Sequence, residues 1–159
     1  MADSSILILR EHPRSGYPAR VLRRRARDFL TALGLDGVEL SISLVDDETI
    51  AQLNAEWRDR PAPTDVLSFP AGEMPAIQGQ PRPLGDIVIS LDTARRRAPE
   101  EGNTLAAELA RYLAHGLLHL LGRDHQTPEE ARAMSREEEA LLAVEGGRGL
   151  LCDSPELEG

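Results

Sequence analysis

Asn103-Thr-Leu-Ala-Ala-Glu-Leu-Ala-Arg-Tyr-Leu-Ala-His115-Gly-Leu-Leu-His119-Leu-Leu-Gly-Arg-Asp-His125 is one long helical pattern followed by a turn. Asn103 or Thr104 can cap it, and it runs to Leu121. Its apolar residues lie on several sides, which predicts a helix at the centre of the core rather than on its surface. Gly122 is a natural helix stop, and a chain that turns there can fold back to bring in His125. Three of the chain's four histidines sit in this segment. On a helix, His115 and His119 share one face, with Cβ atoms roughly 5–6 Å apart, a two-point grip on a metal ion. A lone histidine beside apolar residues is ordinarily a core side chain with its hydrogen bonds satisfied. A third one just after a helix stop, in a histidine-poor chain, favours metal binding. Three neutral imidazoles plus an open fourth position describe a catalytic zinc site; a structural one would need a fourth protein ligand. The sole thiol, Cys152, lies far along the chain and is a poor candidate.

Working outward, residues 4–9 and 65–70 read as short strands, as do residues 85–90. Residues 38–45 (Val-Glu-Leu-Ser-Ile-Ser-Leu-Val) alternate with period 2, the mark of a half-buried strand. Residues 18–33 carry the stripe Val21, Leu22, Ala26, Phe29, Leu30 and Leu33 and read as a helix with Pro18 in its first turn. Asp46 or Asp47 can cap a helix over 47–57 with Ile50, Leu53 and Trp57 on one face. A short helix over 91–98 is broken by Pro99, and Thr127 caps a last helix over 128–143 whose Glu138 and Glu139 face water. Residues 58–64 and 71–83 are loops rich in Pro and Gly or charge. The expectation is a single α+β domain over 1–145: a small mixed sheet of about four strands packed with about five helices, the zinc site on the central helix. Residues 146–159, opening on Gly146-Gly147, read as a loosely held tail.

The chain has 159 residues, 41% of them hydrophobic and 28% charged, as in a soluble globular domain. No stretch approaches the roughly 20 apolar residues of a membrane span. The start lacks the regions of a signal peptide, and one cysteine suits a reducing compartment, so the expected location is the cytoplasm. The net charge is −9, and every basic residue is arginine. A chain this acidic is a poor general binder of nucleic acid, so any such contact must be local. Arg23-Arg24-Arg25 and Arg95-Arg96-Arg97 could form local phosphate-binding patches or simply solvated helix faces.

Zinc held by neutral imidazoles can bring the pKa of a bound water to about 7 and polarise a carbonyl or phosphoryl oxygen. The spacing of the three histidines is that of the metzincin proteases, which need a glutamate directly after the first histidine as general base. Here that residue is Gly116, which can neither take nor return a proton, so peptide hydrolysis by that route is disfavoured. Asp124 is the nearby carboxylate. It can orient a ligand imidazole, act as the base, or simply form the turn.

Four segments then stand in a familiar order: Leu53-Asn54-Ala-Glu-Trp57-Arg58, Pro63-Thr-Asp-Val-Leu-Ser-Phe-Pro70, Leu84-Gly-Asp-Ile-Val-Ile-Ser90, and the histidine motif from His115 to His125. Over roughly residues 44–140 the chain resembles the YbeY-type rRNA maturation factors, a bacterial family of single-domain, metal-dependent endoribonucleases. The resemblance implies one zinc ion per chain, held by His115, His119 and His125, with Arg58 serving the active site. It implies single-strand-specific endoribonuclease activity in rRNA maturation (16S 3′-end processing) and ribosome quality control. Expected partners are single-stranded or ribosomal RNA and a ribosomal protein or ribosome-associated GTPase, with neither DNA nor a membrane. Arg58 and Asp124 are the candidate catalytic groups. Arg123, Arg111 and Tyr112 depart from the commoner family pattern without touching an expected ligand. Two other readings are a non-catalytic ribosome-assembly factor with a zinc-stabilised fold and, less favoured, a metalloprotease-like hydrolase. Imidazole ligands also suit nickel and other divalent ions.

Overall fold

Alternation in the strand Val38–Val45 (β2) sends Val38, Leu40, Ile42 and Leu44 to one face, all fully buried, and leaves Glu39 in solvent. The computed structural model of the protein describes residues 4–72 and 78–144. The strand Ser5–Arg10 (β1) and the strand Arg82–Ser90 (β4) flank β2, both parallel to it, and the strand Val66–Pro70 (β3) runs antiparallel to β4 at the edge. The sheet is thus mixed, in the order β1-β2-β4-β3. Five helices complete the α+β domain: Gly16–Ala32 (α1), Asp47–Arg58 (α2), Leu91–Glu100 (α3), Leu105–Leu120 (α4) and Pro128–Leu142 (α5).

α4 is the hub, meeting β3, β4, α1, α3 and α5. Leu109, Leu113, Leu117 and Leu118 are fully buried, which is why this helix needs apolar residues on more than one side. α1 lies beside α4, burying the expected stripe apart from Leu33, which is half-buried. α2 covers the opposite face, where Ile50 joins Val45, Leu67 and Val88 in a second, smaller cluster. The stripe expected on α2 stops short: Leu53 is half-buried and Trp57 is 59% exposed. Asn54 is buried instead. Its side-chain amide donates to the Ala62 carbonyl at 2.9 Å, and its own carbonyl accepts from Arg60 N–H at 3.1 Å, tying down the loop after α2.

Most element boundaries lie within two residues of expectation, and those of β4 and α3 have a visible cause. β4 begins at Arg82 rather than residue 85, because pairing with β2 continues across a bulge: Glu39 pairs with Pro83 and Leu40 with Gly85, leaving Leu84 extra. Proline is admitted at such irregularities because it owes the ladder no N–H. Gly85 takes φ 147°, and a Cβ there would lie 2.6 Å from the Phe69 carbonyl oxygen and 2.7 Å from Leu120 Cδ2. α3 continues through Pro99 to Glu100, forgoing the one helical bond that an N–H at position 99 would have made. The expected tail over 146–159, with Gly146, Gly147 and Cys152, and residues 73–77 of the expected loop lie outside the described residues.

The arginine clusters are used inside the fold. Arg23 donates to the Ile6 carbonyl, and Arg25 to the carbonyls of Leu142 and Val144. Arg96 pairs with Asp47 and Arg97 with Asp65. Asp47 also accepts from Ser90 Oγ at 2.6 Å and Thr93 Oγ1 at 2.7 Å, joining the start of α2 to the start of α3. Burial raises its pKa, but the bonds from Ser90, Thr93 and Arg96 outweigh that and hold it below the usual carboxylate value of 3.8. A depressed carboxylate adds stability above the unfolded-state pKa and loses it as pH falls through the folded-state value. Asp47→Asn is therefore expected to melt well below the parent at pH 6, with the gap narrowing towards pH 3. A gap independent of pH, followed by circular dichroism, would contradict this account.

Candidate active site

His115 and His119 occupy the last two turns of α4, and the way that helix ends determines where His125 goes. Gly122 adopts φ 90°, its N–H donating to the His119 carbonyl at 3.0 Å, while Arg123 N–H reaches the Leu118 carbonyl at 3.0 Å. This pair of reversed bonds is the glycine-dependent Schellman stop, and it turns the chain back over the helix end. His125 then stands with its ring centroid 5.8 Å from that of His115 and 5.1 Å from that of His119, while the two helix imidazoles are 4.6 Å apart. The three histidines singled out from spacing are brought together.

The Nε2 atoms of His115 and His119 face each other at 3.1 Å. The other nitrogen of His115, Nδ1, lies 2.6 Å from Glu138 Oε2 on α5. A carboxylate can only accept, so Nδ1 carries the proton and Nε2 presents a lone pair. Burial foremost, then the neighbouring His115 and His125, lowers the pKa of His119, which favours its neutral form. Glu138 is thus not a solvent-facing residue as expected: it is half-buried, on the face of α5 that also buries Met134 and Leu141. Its spacing of four from Met134 is the signal that identifies that face. Glu139 does face water.

Among the described residues, no trio of His, Cys, Asp or Glu side chains has its donors already converged on a single point. His125 lies on the exposed turn, its side chain 55% accessible. Asp124 Oδ1 accepts from the His125 backbone N–H at 2.7 Å and lies 3.7 Å from His125 Nδ1, beyond hydrogen-bonding distance.

His115 lines two clefts. One, of about 330 Å³, is lined by Arg58, Val66, Leu67, Ser68, Pro70 and both helix histidines. The other, of about 360 Å³, includes Asp65, Arg111, Tyr112, His125 and Glu138. Arg58 reaches the first from the last turn of α2: its Nη2 donates to the Ser68 carbonyl at 2.7 Å, and its guanidinium carbon stands 4.7 Å from the centroid of the Phe69 ring. Ser68, between them, also donates its hydroxyl to the Gly116 carbonyl at 3.0 Å.

Position 116 faces β3 and β4, against two residues, Val66 and Ser68, that also line the first cleft. A Cβ on Gly116 would lie 3.0 Å from Ile87 Cγ2, 3.0 Å from Ser68 Oγ and 3.3 Å from Val66 Cγ2. Glycine here lets α4 press against β3 and β4. A glutamate would be driven into the sheet, so the residue's identity follows from packing as well as from the chemistry read in the sequence.

A family model described as Endoribonuclease YbeY matches residues 18–145. The endoribonuclease YbeY of Myxococcus xanthus is 57% identical over 140 residues, covering 88% of this chain and 47% of that protein. The protein of the same name from Anaeromyxobacter dehalogenans is 53% identical over 149 residues, covering 94% of this chain and 76% of the relative. The chain therefore spans about half the length of the first relative and about three quarters of the second. The solution structure of TM1509 from Thermotoga maritima superposes with a TM-score of 0.59 at 27% identity, covering 86% of each chain.

Proposed function

The chain belongs to the endoribonuclease YbeY family, and on that premise we propose that it is a zinc-dependent, single-strand-specific endoribonuclease acting in rRNA maturation, at the 16S 3′ end, and in ribosome quality control. The observation that carries the reading is the shared cleft: a guanidinium from α2 and two imidazoles from α4 line one concave site. Arginine there suits a phosphodiester, whose non-bridging oxygens gather charge as the bond is broken.

The residues fit a zinc ion. Imidazoles on a tetrahedral ion with 2.0–2.1 Å bonds would have nitrogens about 3.3 Å apart and ring centroids about 5 Å apart. The His115–His119 nitrogens at 3.1 Å lie close to the first value, and the centroids at 4.6, 5.1 and 5.8 Å lie on either side of the second. His115, His119 and His125 would hold the ion, His125 by swinging its exposed ring inward. When bound, zinc supplies a Lewis acid and an activated water near neutral pH. Glu138 fixes the tautomer and heading of His115. Arg58 exchanges the Ser68 carbonyl for a phosphate oxygen as the strand enters. Asp124, its oxygen already committed to the His125 N–H, shapes the turn that carries the third imidazole.

Two measurements bear on these roles. Glu138→Gln should weaken zinc binding about 10- to 100-fold, the usual effect of losing an outer partner of a ligand histidine; competition against a chromogenic chelator reads it, and unchanged affinity would remove Glu138 from the site. Arg58→Ala should lower kcat on single-stranded RNA by about 10²–10³-fold while metal content stays the same. If metal-free protein, Arg58→Ala and His119→Ala all cleaved RNA undiminished, the activity would belong to a contaminant and the reading would fall.

A further inference from the structure

Trp57 is the chain's single tryptophan and is 59% exposed, although a side chain of that size normally seeks burial. It sits one residue before Arg58 in the last turn of α2. Its ring meets Phe69 edge-on, centroids 6.2 Å apart and planes at 71°. Phe69 in turn lies under the Arg58 guanidinium, 4.7 Å from the ring centroid. Trp57, Phe69 and Arg58 therefore form one connected unit that wraps over the edge strand β3. Its guanidinium end opens into the cleft with His115 and His119, and its indole end is in solvent. An edge-on contact steadies the indole while leaving ring face available.

We propose that Trp57 is a base-stacking subsite, holding the nucleobase of a nucleotide next to the phosphate that Arg58 engages. The chemistry it recognises is an unpaired base of single-stranded RNA. Every base has a π face, and only an unstacked strand can offer one, so stacking selects single strands without reading their sequence. The net charge of −9 makes such a local, charge-independent contact valuable, because the surface as a whole repels a phosphate backbone. The inference rests on the RNA-cleaving reading above and adds a residue that would position the strand.

The single tryptophan makes the test direct. The purified full chain, with its metal, is mixed in a stopped-flow instrument with a 5′-labelled oligouridine, with an abasic strand of equal phosphate number, and with a duplex. Tryptophan emission and label anisotropy are read before turnover. Oligouridine should quench the emission, and the abasic strand and duplex should not. Trp57→Ala should bind oligouridine about 5- to 100-fold more weakly, with the loss in KM rather than kcat, whereas Trp57→Phe should stay within a few-fold of the parent. Anisotropy that rises without quenching, together with unchanged affinity in Trp57→Ala, overturns the stacking role and leaves the nuclease reading standing. No anisotropy change with any RNA overturns both.

Discussion

His119→Ala is expected to abolish stoichiometric zinc binding and RNA cleavage together. In the proposed site His119 is one of three ligands, so the loss in affinity should exceed the roughly 10- to 100-fold that follows loss of an outer partner such as Glu138. The fold should survive, because α4 is held by Leu109, Leu113, Leu117 and Leu118, whereas His119 is only half-buried. Three readings separate ligand loss from collapse. Elemental analysis should fall from about one zinc per chain to near none. In chelator the parent and the variant should melt within a few degrees of each other. Adding zinc should raise the parent's melting temperature, by about 4 kcal/mol of linkage at a thousandfold excess over Kd, and leave the variant's unmoved. A variant that keeps one tightly held zinc would remove His119 from the proposed ligand set. One that loses zinc yet cleaves normally would separate the metal from the reaction.

Gly116→Glu is the second large effect. On the motif's spacing alone the change would complete a protease-like signature. In the fold it pushes a carboxylate against Ile87, Ser68 and Val66, where even a Cβ finds neighbours at 3.0–3.3 Å. Overpacking and an unpaired buried charge each oppose it, and together they should remove more than about 3 kcal/mol, a large share of the roughly 5–15 kcal/mol that holds such a domain together. Gly116→Ala provides the graded comparison: its crowding is set against a gain of about 1 kcal/mol in helix propensity, so it should lie close to the parent. Urea unfolding distinguishes the outcomes, and a peptide substrate should stay uncut by both. A stable Gly116→Glu protein would show that position 116 does not face the sheet.

The central helix and the gathering of its histidines were legible because both are local: apolar residues around a helix, imidazoles four apart, and a glycine where the helix must stop. β2 was legible for the same reason, its alternation being complete within eight residues. What escaped depends on partners distant in sequence. Glu138 is 23 residues from His115 and gains its role only when α5 lies along α4. Trp57 continues an apolar stripe in sequence, but nothing local says that it is left exposed. Pro83 looks like a loop residue until β4 extends back past it to Arg82, and Gly85, expected at the start of the strand, shows only in the fold why it is glycine: Phe69 and Leu120 approach too closely for a Cβ. The arginine triplets could be read as phosphate-binding patches or as solvated helix faces, because carbonyl and carboxylate acceptors on other elements cannot be seen from the triplets themselves.

The bond from Arg58 to the Ser68 carbonyl has a consequence for the protein's behaviour in a crowded solution. β3 ends the sheet, and a terminal strand offers unpaired main-chain groups to any extended segment that drifts past. A bulky cation clasped over a carbonyl of that strand, with Phe69 and Trp57 beside it, obstructs such annealing. The same guanidinium that is proposed to meet a phosphate thus also covers part of the sheet's open border.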